Sequence, residues 1–164
     1  MEQQTQKVMF SSKSNEWETP QAFFNNIAKR LNLKFTLDPC CSPDNHKCDK
    51  YYTYKEDGLS QSWANETVFV NPPYGDIAKW VKKSYDESTE NGAIVALLIP
   101  ARTDTKYWHD YVMKAATKIY FVRGRLKFQN GSQSLNAAPF PSVVVVFGGW
   151  KYGPGPIVQT LERE

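Results

Sequence analysis

Apolar positions along this chain follow two rhythms, helical spacing in some segments and short unbroken runs in others. Phe23, Phe24, Ile27, Ala28 and Leu31 fall on one face of a helix, which Thr19-Pro20 opens with Pro in the first turn and Thr as its cap. "KFTLD" (34–38) reads as a short strand leading into a loop rich in Pro, Asp, Asn and Tyr. Thr67, Val68, Phe69 and Val70 are β-branched or aromatic and form a buried strand. Ile77, Trp80, Val81 and Tyr85 mark an amphipathic helix, and "GAIVALLIP" (92–100) reads as a central parallel strand buried on both faces. A helix with Tyr107, Trp108, Tyr111 and Val112 follows, then the strand "KIYFV" (118–122).

Beyond that point the rhythm changes. "GRLKF" and "PSVVVVFGGW" read as two strands separated by the Gly/Ser/Asn-rich "QNGSQSLNAAPF". Strands alternating with helices and then a closing hairpin predict an α/β fold: a mostly parallel, doubly wound sheet with an antiparallel C-terminal hairpin. Residues 1–15 are polar and expected to be flexible, 16–150 form a single domain, and 151–164 are a tail.

Composition narrows the class without naming a function. The chain has 164 residues, 41% of them hydrophobic and 14% aromatic, enough for one domain with a sizeable core. A net charge of +3 permits nucleic-acid binding without demanding it. The first residues lack the apolar core of a signal peptide and no run has the length of a membrane span, so an intracellular, cytoplasmic chain is expected. Cys40, Cys41 and Cys48 are odd in number, which argues against a disulfide framework. With His46 they suggest zinc, but adjacent cysteines and a one-residue gap fit structural zinc spacings poorly; free thiols and no metal are expected.

The chemistry concentrates in "TVFVNPPYGD" (67–76). Pro72 and Pro73 cannot donate to a sheet ladder, so the strand ends at Asn71. Ligands of open α/β sheets bind outside the carboxyl ends of strands, where this stiff loop presents one amide and one aromatic ring. As a plain strand-to-helix turn the loop would need no function, since Asn and Pro both form turns.

Asn-Pro-Pro-Tyr at a strand end resembles the catalytic loop of S-adenosylmethionine-dependent amino methyltransferases. An exocyclic amino group on a ring is a poor nucleophile, because its lone pair is delocalised. Accepting its two N–H groups on the Asn71 side chain and the Pro72 carbonyl favours a more tetrahedral nitrogen, and the Tyr74 ring stacks on a base rotated out of the duplex. Further segments extend the likeness: "EWETP", "LDPCC", "DGLSQSW", "VFVNPPYG", "LLIPARTDT", "FVRGRLKF" and "APFPSVVVVF". From about residue 12 to 147 the chain is similar to the phage-type DNA N-6-adenine-methyltransferase family.

That resemblance implies a Rossmann-like fold and methyl transfer from S-adenosylmethionine to adenine N6 in DNA. It implies catalytic and target-binding roles for Asn71, Pro72, Pro73 and Tyr74, and cofactor roles for Asp38, Pro39, Asp57 and the Thr19-Pro20 segment. DNA is the implied partner, with no membrane, no obligatory protein partner, and a monomer or weak dimer as the assembly. Protection from a restricting nuclease and regulatory marking are both compatible with it. No G-x-G follows Asp38, and 39–56 is too short for the usual connection, so the first βα units are expected to be reduced. Asp44, Asp49 and Glu56 are then all candidates for the ribose-binding acid.

Arg123, Arg125 and Lys127 alternate on what reads as one strand and so share a face, suited to DNA phosphates or to a solvated edge. Arg102 and Asp104, after the central strand, are placed to line the cleft, with Thr103 or Asp104 alternatively capping the next helix. Three other readings compete. Pro39-Cys40 resembles the nucleophile of cytosine-C5 methyltransferases. Protein glutamine N5-methyltransferases also use Asn-Pro-Pro-Tyr. An inactive DNA-binding relative would keep the fold alone.

Overall fold

The computed structural model describes residues 17–151 and 153–163. The flexible segment expected at 1–15 lies outside them. Nine strands are formed by the described residues: β1 (Leu37–Asp38), β2 (Lys50–Tyr51), β3 (Thr67–Val70), β4 (Ile94–Pro100), β5 (Ala116–Val122), β6 (Lys127–Asn130), β7 (Gln133–Ala137), β8 (Ser142–Phe147) and β9 (Ile157–Leu161). Seven of them form one sheet in the order β2-β1-β3-β4-β8-β5-β9, and β6 with β7 makes a separate antiparallel hairpin. Four of the six pairings within the large sheet are parallel, and both antiparallel ones involve β8. The fold is the mixed α/β, mostly parallel arrangement expected.

Helices cover both faces because the strand side chains alternate between two cores. Val95, Leu97 and Ile99 of β4 join Val143, Val145 and Phe147 of β8 on one side. A second helix, Ile77–Glu90, covers them with Ile77, Trp80 and Val81. Ala96 and Leu98 join Val144 and Val146 on the other side, beneath Phe23, Phe24, Ile27 and Leu31 of α1 (Gln21–Leu31). The helix at Ile77–Glu90 is α2. Asn32, in the left-handed conformation, ends α1 and its N–H returns to the Ala28 and Lys29 carbonyls. The aromatic segment after β4 forms a π-helical turn, Trp108–Val112, that continues into α3 (Met113–Ala115) and buries Trp108 and Val112.

Four expectations are corrected. The closing strands "GRLKF" and "PSVVVVF" do not pair with each other: β6 pairs with β7, inside the stretch expected as a connection, around a turn at Gly131. β8 instead enters the sheet between β4 and β5. Its six residues are all buried, and only an interior strand buries both faces of such a run. Residues 151–164 are not simply a tail, since β9 extends the sheet beyond β5 in parallel. Finally, Arg123, Arg125 and Lys127 do not share a strand: β5 stops at Val122, and Gly124 turns the chain at a φ of +75°.

The reduced start of the sheet is as expected. β1 and β2 have two residues each, and the chain between β1 and β3 runs in turns without a helix. β1, β3 and β4 are parallel neighbours, so their carboxyl ends lie along one edge.

Candidate active site

That edge gathers Asp38 at the end of β1, Asn71 just after β3, and Ala101-Arg102 just after β4. The loop after β3 takes the shape its two prolines dictate: Pro72 is buried, Pro73 is exposed with extended backbone, and Tyr74–Asp76 forms a 3-10 turn leading into α2. The Asn71 amide is fixed from one side. Its Nδ2 donates to the Trp17 carbonyl at 2.8 Å and to Thr19 Oγ1 at 3.0 Å. A carbonyl can only accept, so the NH2 end of the amide must face Trp17, and Oδ1 faces away. Among the described residues no donor reaches that Oδ1 or the Pro72 carbonyl.

Tyr74 sits in an aromatic cluster. Its ring meets Trp17 edge-on at 5.7 Å and Phe140 edge-on at 5.1 Å, and Trp17 in turn packs on Phe128 at 5.3 Å. Burial pushes the Tyr74 phenol above its ordinary range, with the Arg102 charge acting against that, so the ring is neutral near pH 7. Trp17 and Phe140 are members of the site that the motifs do not single out. Both lie inside quoted segments, "EWETP" and "APFPS", and an aromatic residue in each is the one signal the sequence offers.

Asp38 is buried, and its carboxylate organises the loop that replaces a glycine-rich turn. Oδ2 accepts the Lys47 N–H at 2.9 Å and Oδ1 the Cys40 N–H at 3.4 Å. Burial raises its pKa to about 6, against the lowering effect of these bonds and of the nearby Lys47 and His46 charges. No ion pair to Asp38 forms among the described residues. Gly58 lies against the same loop, where an added Cβ would stand 2.0 Å from the Pro39 carbonyl oxygen. The segments around Asp38 and Asp57 are therefore in direct contact. Asp57 itself is exposed in a left-handed conformation, its Oδ1 accepting the Leu59 N–H at 3.2 Å.

The Gly58 loop is anchored from below. Trp63 is fully buried, donates from Nε1 to the Gly58 carbonyl at 3.0 Å, and lies near-parallel to Trp80 of α2. Its N–H is accepted by Glu87, which also receives Lys83 and Asn91. Burial opposes the Glu87 charge, yet those bonds hold its pKa below the ordinary carboxylate value.

Among the other acids, Asp44, Asp49 and Glu56 are all exposed. Glu56 accepts the N–H and hydroxyl of Thr53 at 2.8 and 2.6 Å, so its carboxylate closes its own turn. The thiols are held in their protonated form. Burial pushes Cys40 and Cys41 well above the ordinary thiol value and Cys48 up to about 12, with the Asp38 charge adding to each. A thiolate nucleophile at Cys40, which cytosine-C5 chemistry requires, is disfavoured. Among the described residues no group of three or more His, Cys, Asp or Glu side chains is arranged to hold a metal ion.

Two helix caps differ from expectation. Thr19 is buried beside Asn71 and does not cap α1; Pro20 is itself the capping residue, and its carbonyl accepts the Phe24 N–H at 3.0 Å. The Asn71 amide competes for the Thr19 hydroxyl and wins it. Neither Thr103 nor Asp104 caps the helical segment after β4; the Thr105 hydroxyl instead donates to the Arg102 carbonyl at 2.7 Å. Arg102 is exposed beside Tyr74, and Asp104 is exposed in the same loop. Arg123 is exposed and faces Glu162 at 3.5 Å. Arg125 is exposed and gives its carbonyl to Arg163 at 3.2 Å, while Lys127 is exposed on the hairpin. The hairpin adjoins the site: Glu18 and Gln129 exchange two backbone bonds of 2.9 Å.

A family model described as DNA N-6-adenine-methyltransferase (Dam) matches residues 6–164. A DNA N-6-adenine-methyltransferase of Haemophilus phage HP1 is 26% identical over 133 residues, covering 80% of this chain and 77% of that protein. One from Escherichia phage T1 is 30% identical over 105 residues, covering 63% of this chain and 43% of that protein. A putative methyltransferase of Escherichia coli, YfdM, is 35% identical over 66 residues, or 37% of this chain.

Proposed function

This chain belongs to the DNA N-6-adenine-methyltransferase (Dam) family, and from that premise we propose that it transfers a methyl group from S-adenosylmethionine to the N6 amino group of adenine in DNA. The observation that carries the reading is the Asn71 amide. With Nδ2 occupied by Trp17 and Thr19, its Oδ1 is left as an acceptor at the carboxyl edge of the sheet. Asn71 Oδ1 accepts one N–H of the adenine amino group and the Pro72 carbonyl accepts the other. The two bonds draw the nitrogen towards tetrahedral geometry and aim its lone pair, so positioning supplies most of the acceleration. Tyr74, among Trp17 and Phe140, offers an aromatic face to a base rotated out of the duplex. Pro73 keeps the loop stiff.

The residues present fit a cationic cofactor. Asp38 is a buried carboxylate with no ion-pair partner among the described residues, and a positive group beside it offsets the desolvation of its charge. Asp38 and Pro39, the contacting Asp57 segment, and Pro20 with the main chain at Thr19 are the groups that would hold it. When bound, S-adenosylmethionine supplies an electrophilic methyl group on a sulfonium centre, and no covalent enzyme intermediate is required. Arg102, Arg125 and Lys127 contribute positive charge for the DNA backbone, with Arg123 partly engaged by Glu162.

The test is transfer of a labelled methyl group to mixed-sequence DNA, followed by digestion to nucleosides, with Asn71→Ala alongside. Label in N6-methyladenine from the parent and a loss of at least about a hundredfold in the variant, with cofactor affinity retained, is expected. Label in another base, or equal loss of turnover and cofactor binding in the variant, would overturn the reading.

A further inference from the structure

Residues 17–19 make a strap whose alternate residues serve two different elements. The Trp17 carbonyl and the Thr19 hydroxyl both accept from Asn71 Nδ2, while Glu18 between them is bonded through both its N–H and its carbonyl to Gln129 of the hairpin. The Glu18 carboxylate also accepts the Gly131 N–H at 3.2 Å, across the turn of that hairpin. We infer that Thr19 is a positioning residue for the transfer reaction: its hydroxyl, with the Trp17 carbonyl, locks the rotation of the Asn71 amide so that Oδ1 is presented to the adenine amino group. This rests on the function proposed above and moves the Thr19 side chain from cofactor contact to alignment of Asn71.

The chemistry of the two acceptors is the reason. One bond to Trp17 fixes which end of the amide carries the NH2 group but leaves the plane free to swing about the Cβ–Cγ bond. A second bond from the same NH2 group, to the Thr19 hydroxyl, restricts that freedom. Thr19 is 3% exposed, so water does not compete for its hydroxyl. The two bonds come from residues flanking Glu18, whose own backbone is held by β6, and the strap therefore cannot drift while the hairpin is in place. An amide in the right place but free to rotate spends part of its time turned away from the reacting nitrogen, and misalignment of that kind lowers the rate of the chemical step rather than binding.

Thr19→Val keeps the volume and removes the hydroxyl; Thr19→Ser keeps the hydroxyl. With saturating S-adenosylmethionine and adenine-containing duplex DNA, single-turnover transfer by Thr19→Val is expected to fall about tenfold, while dissociation constants for cofactor and DNA stay within about twofold. Thr19→Ser is expected to recover most of the rate. The side-chain amide protons of Asn71, followed by NMR exchange without any substrate, are expected to exchange faster in Thr19→Val than in the parent or Thr19→Ser. Parental rate and parental exchange in Thr19→Val would overturn the inference. So would a loss that appears wholly as weaker cofactor binding, which marks Thr19 as a cofactor contact. If the parent itself transfers no methyl to adenine, the proposed function fails separately, and unchanged amide exchange is then the outcome that also defeats the positioning role.

Discussion

Asp38 carries a cost that pH can reveal. Its folded pKa is raised to about 6 from the ordinary 3.8, chiefly by desolvation, so the native state prefers it protonated more than the unfolded chain does. The sign follows from linkage: below the unfolded pKa both states hold the proton and stability is highest. Stability is then lost as pH rises through the interval up to the folded pKa. Over the full interval the loss amounts to about 3 kcal/mol. Denaturant unfolding of the parent and Asp38→Asn at pH 4 and pH 7 isolates this effect, because the missing hydrogen bonds of the variant are common to both. The parent is expected to lose stability relative to the variant by most of that amount between the two, about 2 kcal/mol, because at pH 4 the unfolded carboxyl is already partly ionised; a constant difference would show that the carboxylate is hydrated. At this scale the positions of Asp38 and Asn71 at the carboxyl ends of β1 and β3 are legible in the sequence, since each stands next to a proline that stops the ladder. It does not reveal the role of the Thr19 hydroxyl, because a Thr before a Pro looks like a helix cap, and a partner more than fifty positions away leaves no local trace.

Between elements, the contact of the Asp38 loop with the Asp57 loop is the tightest constraint near the site. Gly58 presents its α-carbon to the Pro39 carbonyl, and the Trp63–Trp80 stack with the Glu87 network prevents the loop from retreating. Gly58→Ala puts a methyl group into backbone rather than into a flexible side chain. It is expected to destabilise the protein by about 1–3 kcal/mol and to weaken S-adenosylmethionine binding in parallel, measured by thermal unfolding and by titration. Wild-type values for both would mean the two loops part easily. Elements with apolar periodicity are legible in the order of residues alone: α1, α2, β3, β4 and β5 all lie within or close to the segments expected for them. The hairpin and β9 are not. β7 has four exposed residues and one half-buried one, and β9 is buried only at Leu161, so neither shows the alternation that marks a strand. β8 is visible as a strand but not in its place, because a run buried on both faces does not say which neighbours it has.

Across the whole molecule, charge is distributed more sharply than the net +3 suggests. No acidic residue occurs between Asp110 and Glu162, a stretch that contains Lys114, Lys118, Arg123, Arg125, Lys127 and Lys151 and includes the hairpin beside Asn71. The acids lie elsewhere, several of them neutralised on α2, where Lys82 pairs with Asp86 and Lys83 with Glu87. If adenine is placed against Tyr74 as proposed, the DNA polyanion meets its favourable field along the hairpin and the turn before it, not along α2. Lys127 tests this directly: it is exposed on β6, next to Phe128, which packs inward on Trp17. If Lys127 neutralises a phosphate, Lys127→Ala lowers the slope of log affinity against log salt for duplex DNA by about 0.9, with similar loss on every sequence. Lys82→Ala, on the opposite face of the sheet and already ion-paired, is expected to leave the slope unchanged. Equal slopes for both variants would move the DNA path away from the hairpin. A loss confined to particular sequences with Lys127→Ala would instead make this lysine a reader of bases, because contacts to phosphate carry no sequence information.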